Sequence, residues 1–149
     1  MIQSTLFTLL ACVSLGWGLG TTPSECPVPS SSVDLESKLT SLAHDAIYAL
    51  ENVDRTKFRE LASFDVLACF DTNKSNLGCF VGPDHVIWPK FKHHRPIEIV
   101  YSTTSVTYRR TMLYLSWPSK QTNIHTTMIV DFNCENKIHY LGIIMHYDS

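Results

Sequence analysis

The stretch TTMIVDFNCENKIHYLGIIMHYDS, residues 126–149, decides the fold of this chain. It reads as two strands, rich in Ile, Val, Thr and Tyr, joined by the polar turn NCEN at residues 133–136. The second strand is apolar on both faces. Ile138, Tyr140 and Ile144 alternate with Leu141, Ile143 and Met145. A terminal hairpin ordinarily keeps one side wet, so this strand needs a cover on each face.

Working upstream, TMLYLSW from Thr111 and PIEIVYSTTSVTY from Pro96 have the same strand composition. DVLACF and LGCFVG flank the polar loop DTNKSN and predict a further hairpin. Gly82-Pro83 ends it, and HVIW at residues 85–88 reads as a short continuation. Before the strands come helices. Ser31 or Ser32 caps a helix with Asp34 and Glu36 in its first turn, where acidic groups meet the positive end of the dipole. Leu35, Leu39, Leu42, Ala46, Leu50 and Val53 recur at helical spacing as one stripe. His44, Tyr48 and Glu51 fall on the opposite side and read as a solvated face. Asp54 caps a shorter helix carrying Phe58, Leu61 and Ala62. Helices followed by consecutive strands on short connections mean α+β with an antiparallel sheet.

Composition bounds the function. The 149 residues suit one domain, 44% hydrophobic and 17% charged, which is globular and ordered. A net charge of −2 provides no field for nucleic acid or acidic lipid. KFKHHR, residues 90–95, is the densest basic run and reads as a solvated loop; adjacent His93 and His94 do not converge on one ion.

Residues 1–20 read as a secretory signal peptide. Leu6–Gly20 is uncharged and apolar, Gly18 and Gly20 supply the small positions, and cleavage falls before Thr21. The run is short for a membrane span of about 20 residues. Residues 21–32, TTPSECPVPSSS, form an extended lead-in, and 33–149 the folded domain. Once Cys12 leaves with the signal, Cys26, Cys69, Cys79 and Cys134 remain: two disulfides with three possible connectivities. We expect Cys69 with Cys79 across the first hairpin, and Cys26 with Cys134 tying the lead-in to the last turn. No Cys-x-x-Cys spacing supports zinc, so neither a metal nor a cofactor is expected. Asn73-Lys74-Ser75 is a glycosylation sequon.

AHDAIYALENVDRTKFRELASFDVLACF resembles the opening of the nuclear transport factor 2-like superfamily: a long helix, an acidic break, a short helix ending in Leu-Ala, then a strand. VDFNCENKIHYLGIIMHYD is similar to its closing hairpin, with Lys-Ile after the turn and the aromatic-Asp pair Tyr147-Asp148. The resemblance spans Asp34 to Asp148 and implies a cystatin-like cone, with the helices in the concave face of a strongly curved sheet. It implies an apolar pocket at the open end and dimerisation through the convex face. We expect that outer face to be built from Leu141, Ile143 and Met145.

The same fold serves ketosteroid isomerase, scytalone dehydratase and polyketide cyclases, which use acids and bases inside the cone. Pocket candidates here are Tyr101, His125, Asp131 and His146, all on predicted strands. Most carboxylates fall instead at helix starts and turns, as Asp34, Glu36, Asp54, Asp71, Asp84 and Glu135 do. Serine elbows, phosphate loops and His-Glu-x-x-His are absent. The sequence therefore points to a secreted, non-catalytic domain binding a small hydrophobic ligand or a protein; the alternatives are a small lyase or isomerase on a hydrophobic substrate, or a secreted inhibitor or interaction protein. A cystatin-type inhibitor would need a Gln-x-Val-x-Gly loop, which the chain lacks.

Overall fold

The computed structural model describes residues 26–27, 31–72, 76–85, 97–117 and 124–147. The segment read as a signal peptide, most of the lead-in, the sequon asparagine Asn73, Val86–Trp88 of the short continuation, and the basic run lie outside these residues. Helix α1 spans Ser32–Asn52 and α2 spans Arg55–Leu61. Six strands follow: β1 Ala62–Thr72, β2 Asn76–Val81, β3 Glu98–Ser105, β4 Arg110–Trp117, β5 Ile124–Phe132 and β6 Ile138–Tyr147.

The capping chemistry read from the sequence sets the helix limits. Ser31 accepts a hydrogen bond from the Asp34 amide at α1, and Asp54 accepts from the Lys57 amide at α2. Between the helices, Val53 takes the left-handed conformation at φ 56° and closes α1 through its amide. The apolar stripe of α1 is buried and wider than its leucines suggest. Ala43, Ile47 and Ala49 join Leu35, Leu39, Ala46 and Leu50, while Leu42 and Val53 pack at the margin.

The strand order is β2-β1-β6-β5-β4-β3. Four of the pairings are antiparallel, as expected for hairpin-linked strands, but β1 and β6 run parallel, so the sheet is mixed. This follows from connectivity, because the chain's first strand returns beside its last and no hairpin joins them. Registers shift at Phe70/Asp71, Ile99/Tyr101 and Asp131/Phe132, and such bulges bend a sheet around its contents.

The third shift corrects the expected facing of the last strand. Phe132 pairs with Ile138 and Asp131 with Tyr140, so His139 is an extra residue on β6. Beyond it, Leu141, Ile143 and Met145 point inward and are each 1% exposed or less. They are core and not the outer patch. Tyr140, Ile144 and His146 take the outer face, and Gly142 lies under the Tyr140 ring, whose hydroxyl would sit 2.8 Å from an added Cβ. The inserted residue reverses the phase that simple alternation assigns.

Both expected disulfides form. Cys69 and Cys79 are register partners with Cα atoms 4.0 Å apart, and Cys26 reaches Cys134 across 108 residues of sequence with Cα atoms 5.2 Å apart. The loops closed differ about tenfold in length. Chain entropy then predicts that Cys26→Ser/Cys134→Ser costs about 5 kcal/mol and Cys69→Ser/Cys79→Ser about 3. Chemical denaturation of the two variants measures the order, and equal losses would contradict it.

Candidate functional site

Two places could carry function: the interior of the cone and the outer face of its sheet. Alternation along each strand sorts the residues. On β5, Ile124, Thr126, Met128, Val130 and Phe132 face the helices, and on β4 Thr111, Leu113 and Leu115 do. With Phe58, Phe70 and the stripe of α1 they fill the interior. The cavity lined by Ile47, Leu50, Ile97, Leu115, Thr126, Met128 and Ile143 measures only about 10 Å³, room for a single water. Its one polar feature is the buried Thr126 hydroxyl, which has no hydrogen-bond partner. Among the described residues, none of the buried ones facing the helices is a carboxylate or an imidazole.

The four pocket candidates all lie on the outer face. Tyr101 is 63% exposed, His146 is exposed, and His125 is half-buried with its ring stacked on Tyr114 at 5.8 Å. Asp131 is nearly buried, but against Arg110. The guanidinium donates Nε to Oδ1 at 2.6 Å and Nη2 to Oδ2 at 2.8 Å. That hydrogen bond raises the Arg110 pKa, with burial opposing and the Asp131 charge adding to it. The interior reading of these residues is therefore corrected. A strand residue one step out of phase with the buried set leaves the cone entirely.

The outer face brings together residues that motif-based reasoning passed over. Register places Tyr101, Tyr114, Thr127 and Ile144 in one row across β3 to β6, with Met112 and Ile129 in the next. Tyr101, Met112, Tyr114 and Ile144 are exposed, forming an aromatic and aliphatic surface. The signal for it was present in TMLYLSW, where Met112 and Tyr114 alternate with Leu113 and Leu115. Further down, Arg109 is buried in the β3–β4 turn. It donates Nε to the Asn133 carbonyl at 3.1 Å and Nη2 to Asn136 Oδ1, holding two turns together; burial lowers its pKa. Along α1, Glu36, Thr40, His44 and Tyr48 line a shallow groove. Among the described residues no cluster of three His, Cys, Asp or Glu could hold a metal, and no helix is long and apolar enough to cross a membrane.

The Arg110–Asp131 pair is asymmetric, since the side chains are 45% and 12% exposed. With Asp131→Ala the guanidinium can turn to water, at a cost of about 1 kcal/mol. Arg110→Ala strands a carboxylate with little access to solvent and should cost about 2–3 kcal/mol. Denaturant midpoints of the two variants decide, and a larger loss for Asp131→Ala would refute the asymmetry.

No protein-family model matches the sequence, and no curated protein matches it. Solved structures do resemble it. An NTF-2 like protein of unknown function from Burkholderia xenovorans LB400 superimposes with a TM-score of 0.59 at 13% identity, covering 76% of this chain and 86% of that one. A protein of unknown function with cystatin-like fold from Methylobium petroleophilum PM1 gives 0.60 at 11% identity, over 76% and 78%. A steroid delta-isomerase from Pseudomonas aeruginosa gives 0.55 at 12% identity, over 80% and 82%. Identities this low speak of architecture alone, and the chain has the nuclear transport factor 2-like fold, a cystatin-like α+β cone.

Proposed function

We propose that this protein is a secreted, non-catalytic nuclear transport factor 2-like domain that works by binding protein on the outer face of its sheet, its first partner being a second copy of itself. The close packing of the interior among the described residues is the observation that carries this reading. A catalyst of this fold needs a cavity for substrate and an acid or base within it, and about 10 Å³ lined by aliphatic residues and one threonine supplies neither. Two disulfides support an oxidising compartment.

A second copy suits the outer face because of its charge. A surface that meets itself about a two-fold axis cannot carry a net charge at its centre without self-repulsion. Here Arg110 and Asp131 neutralise each other in place, and Tyr101, Met112, Tyr114, Ile129 and Ile144 between β3 and β6 are uncharged. Exposed tyrosine and methionine are also the residues enriched where proteins meet.

Neighbouring residues on β6 provide the test. Ile144→Arg should raise the dimer dissociation constant about 30-fold, the equivalent of about 2 kcal/mol, with the fold intact. Ile143→Glu, one residue away on the core side, should unfold the protein, because it buries an unpaired charge. Analytical ultracentrifugation and circular dichroism read the two effects. A wild-type protein monomeric at high micromolar concentration, or one whose association survives Ile144→Arg, would refute self-association and leave a different protein as partner.

A second reading, uptake of a small apolar ligand bearing one hydrogen-bonding group, is favoured by the unpartnered Thr126 hydroxyl. It predicts methyl chemical-shift changes at Thr126, Met128 and Ile143 when benzyl alcohol is added. Shifts confined to the outer face would reject it.

A further inference from the structure

We propose that the pocket between the start of β1 and the β5–β6 turn receives an arginine side chain of a partner protein. This pocket is separate from the β3–β6 surface proposed for self-association and does not depend on it. It is built around Phe64, which at 88% is the most exposed of the large apolar side chains described. Leu67 and Val81, register partners just beyond it, are exposed as well, so Phe64 is not an isolated apolar residue on a polar surface. Nor does it ride on a loose loop. Between the pairs Ala62–Ile138 and Leu67–Tyr140, residues 63–66 of β1 stand opposite the single His139, and the surplus chain bulges from the sheet. Ser63 Oγ donates to the Ile138 carbonyl at 3.1 Å, and the Gly82 amide donates to the Val66 carbonyl at 2.8 Å, so the bulge is fastened at both ends.

The opposite wall is the turn, and it is fixed too. Asn133 Oδ1 accepts from the amides of Glu135 at 3.0 Å and Lys137 at 2.9 Å, Arg109 donates to the Asn133 carbonyl, and Cys134 is bonded to Cys26. Two carboxylates line the pocket together with the Phe64 ring: Asp65 from the bulge and Glu135 from the turn. Neither carboxylate has a hydrogen bond or ion pair among the described residues. Lys137, the one cation among the lining residues, is already engaged, its Nζ donating to the Glu60 carbonyl. The walls thus present two uncompensated negative charges beside an aromatic face. Among the described residues no group of three His, Cys, Asp or Glu could hold a metal ion, which leaves an organic cation as the complement. A guanidinium meets both features at once. Its flat face lies on the ring while its N–H edges donate to the carboxylates, and it gives up water more readily than an ammonium does.

The experiment titrates the untagged mature protein with acetyl-Gly-Arg-Gly-amide and with its lysine and citrulline counterparts, following backbone amide NMR signals. Citrulline keeps the shape of arginine without its charge. The arginine peptide should move the signals of Phe64, Asp65, Asn133 and Glu135 together. Its dissociation constant should be at least about threefold weaker in Phe64→Ala and in Glu135→Gln, and unchanged in Glu36→Gln on α1. The lysine peptide should bind at least about threefold more weakly than the arginine peptide, and the citrulline peptide should leave the pocket signals unmoved. Phe64 and Glu135 are exposed, so both replacements leave the fold in place. Binding of the lysine or citrulline peptide as tight as that of arginine, shifts spread over surface carboxylates at large, or an affinity unchanged by Phe64→Ala would each overturn the assignment.

Discussion

The structure depends on the parallel contact between β1 and β6, which sets the chain's first strand against its last. β6 thereby becomes an inner strand with β1 on one side and β5 on the other. Residues Leu67–Thr72 align with Tyr140–Met145, a separation of some seventy positions that no local turn can shorten. Closing so long a loop is entropically unfavourable until the apolar faces meet. Hairpins β1–β2, β3–β4 and β5–β6 and the capped helices can form locally. The β1–β6 contact turns them into one sheet around one core. The Cys26–Cys134 bridge acts at the same end, fastening the segment before α1 to the turn between β5 and β6.

Once β6 is central, its phase decides what is inside. His139 inserts between Ile138 and Tyr140, so Ile138 and Leu141 are both buried although three positions apart. Were His139 an ordinary paired residue of the strand and not an extra one, Tyr140 and Ile144 would share the face of Ile138 and Ile143 would face water. The same one-step logic operates on β5, where Thr126 and Met128 look inward and His125 and Asp131 outward. Tyr140 lies over Gly142 and covers backbone that the strand would otherwise leave bare there. The puzzle of a last strand apolar on both sides is resolved in this way. One side is core, and the other joins an aromatic surface that runs across three neighbouring strands.

Much of this was legible in the sequence, for identifiable reasons. Helix limits were readable because Ser31 and Asp54 cap by short-range chemistry. The Cys69–Cys79 bridge was readable because a hairpin sets its partners opposite each other. The parallel pairing was not, because hairpin signals describe only strands adjacent in sequence. Neither was the location of Tyr101, His125, Asp131 and His146 on the outer face. Deciding a face requires knowing where the strand's register is interrupted, and nothing in NKIHYLG marks His139 as the extra residue. Arg109 was missed for a related reason: an arginine buried in a turn is stabilised by Asn133 and Asn136, groups that only the fold brings to it.

The distribution of polar groups ties these features together. A cone can enclose a reactive carboxylate or imidazole only if apolar walls surround it without filling the space, which sacrifices packing for a cavity. In this chain Phe58, Phe70, Phe132, Ile47 and Leu50 occupy that volume, and the inward polar residues among those buried are threonines. Thr111 bonds Thr104, which in turn meets Thr40 of α1, so the edge strand β3, its neighbour β4 and the helix share a hydroxyl chain that carries no charge. The ionisable side chains Arg110, Asp131, His125 and His146 stand on the opposite side of the same strands. Since the two faces of a strand are separated by one residue, a single step of phase is all that divides these ionisable groups from the apolar interior.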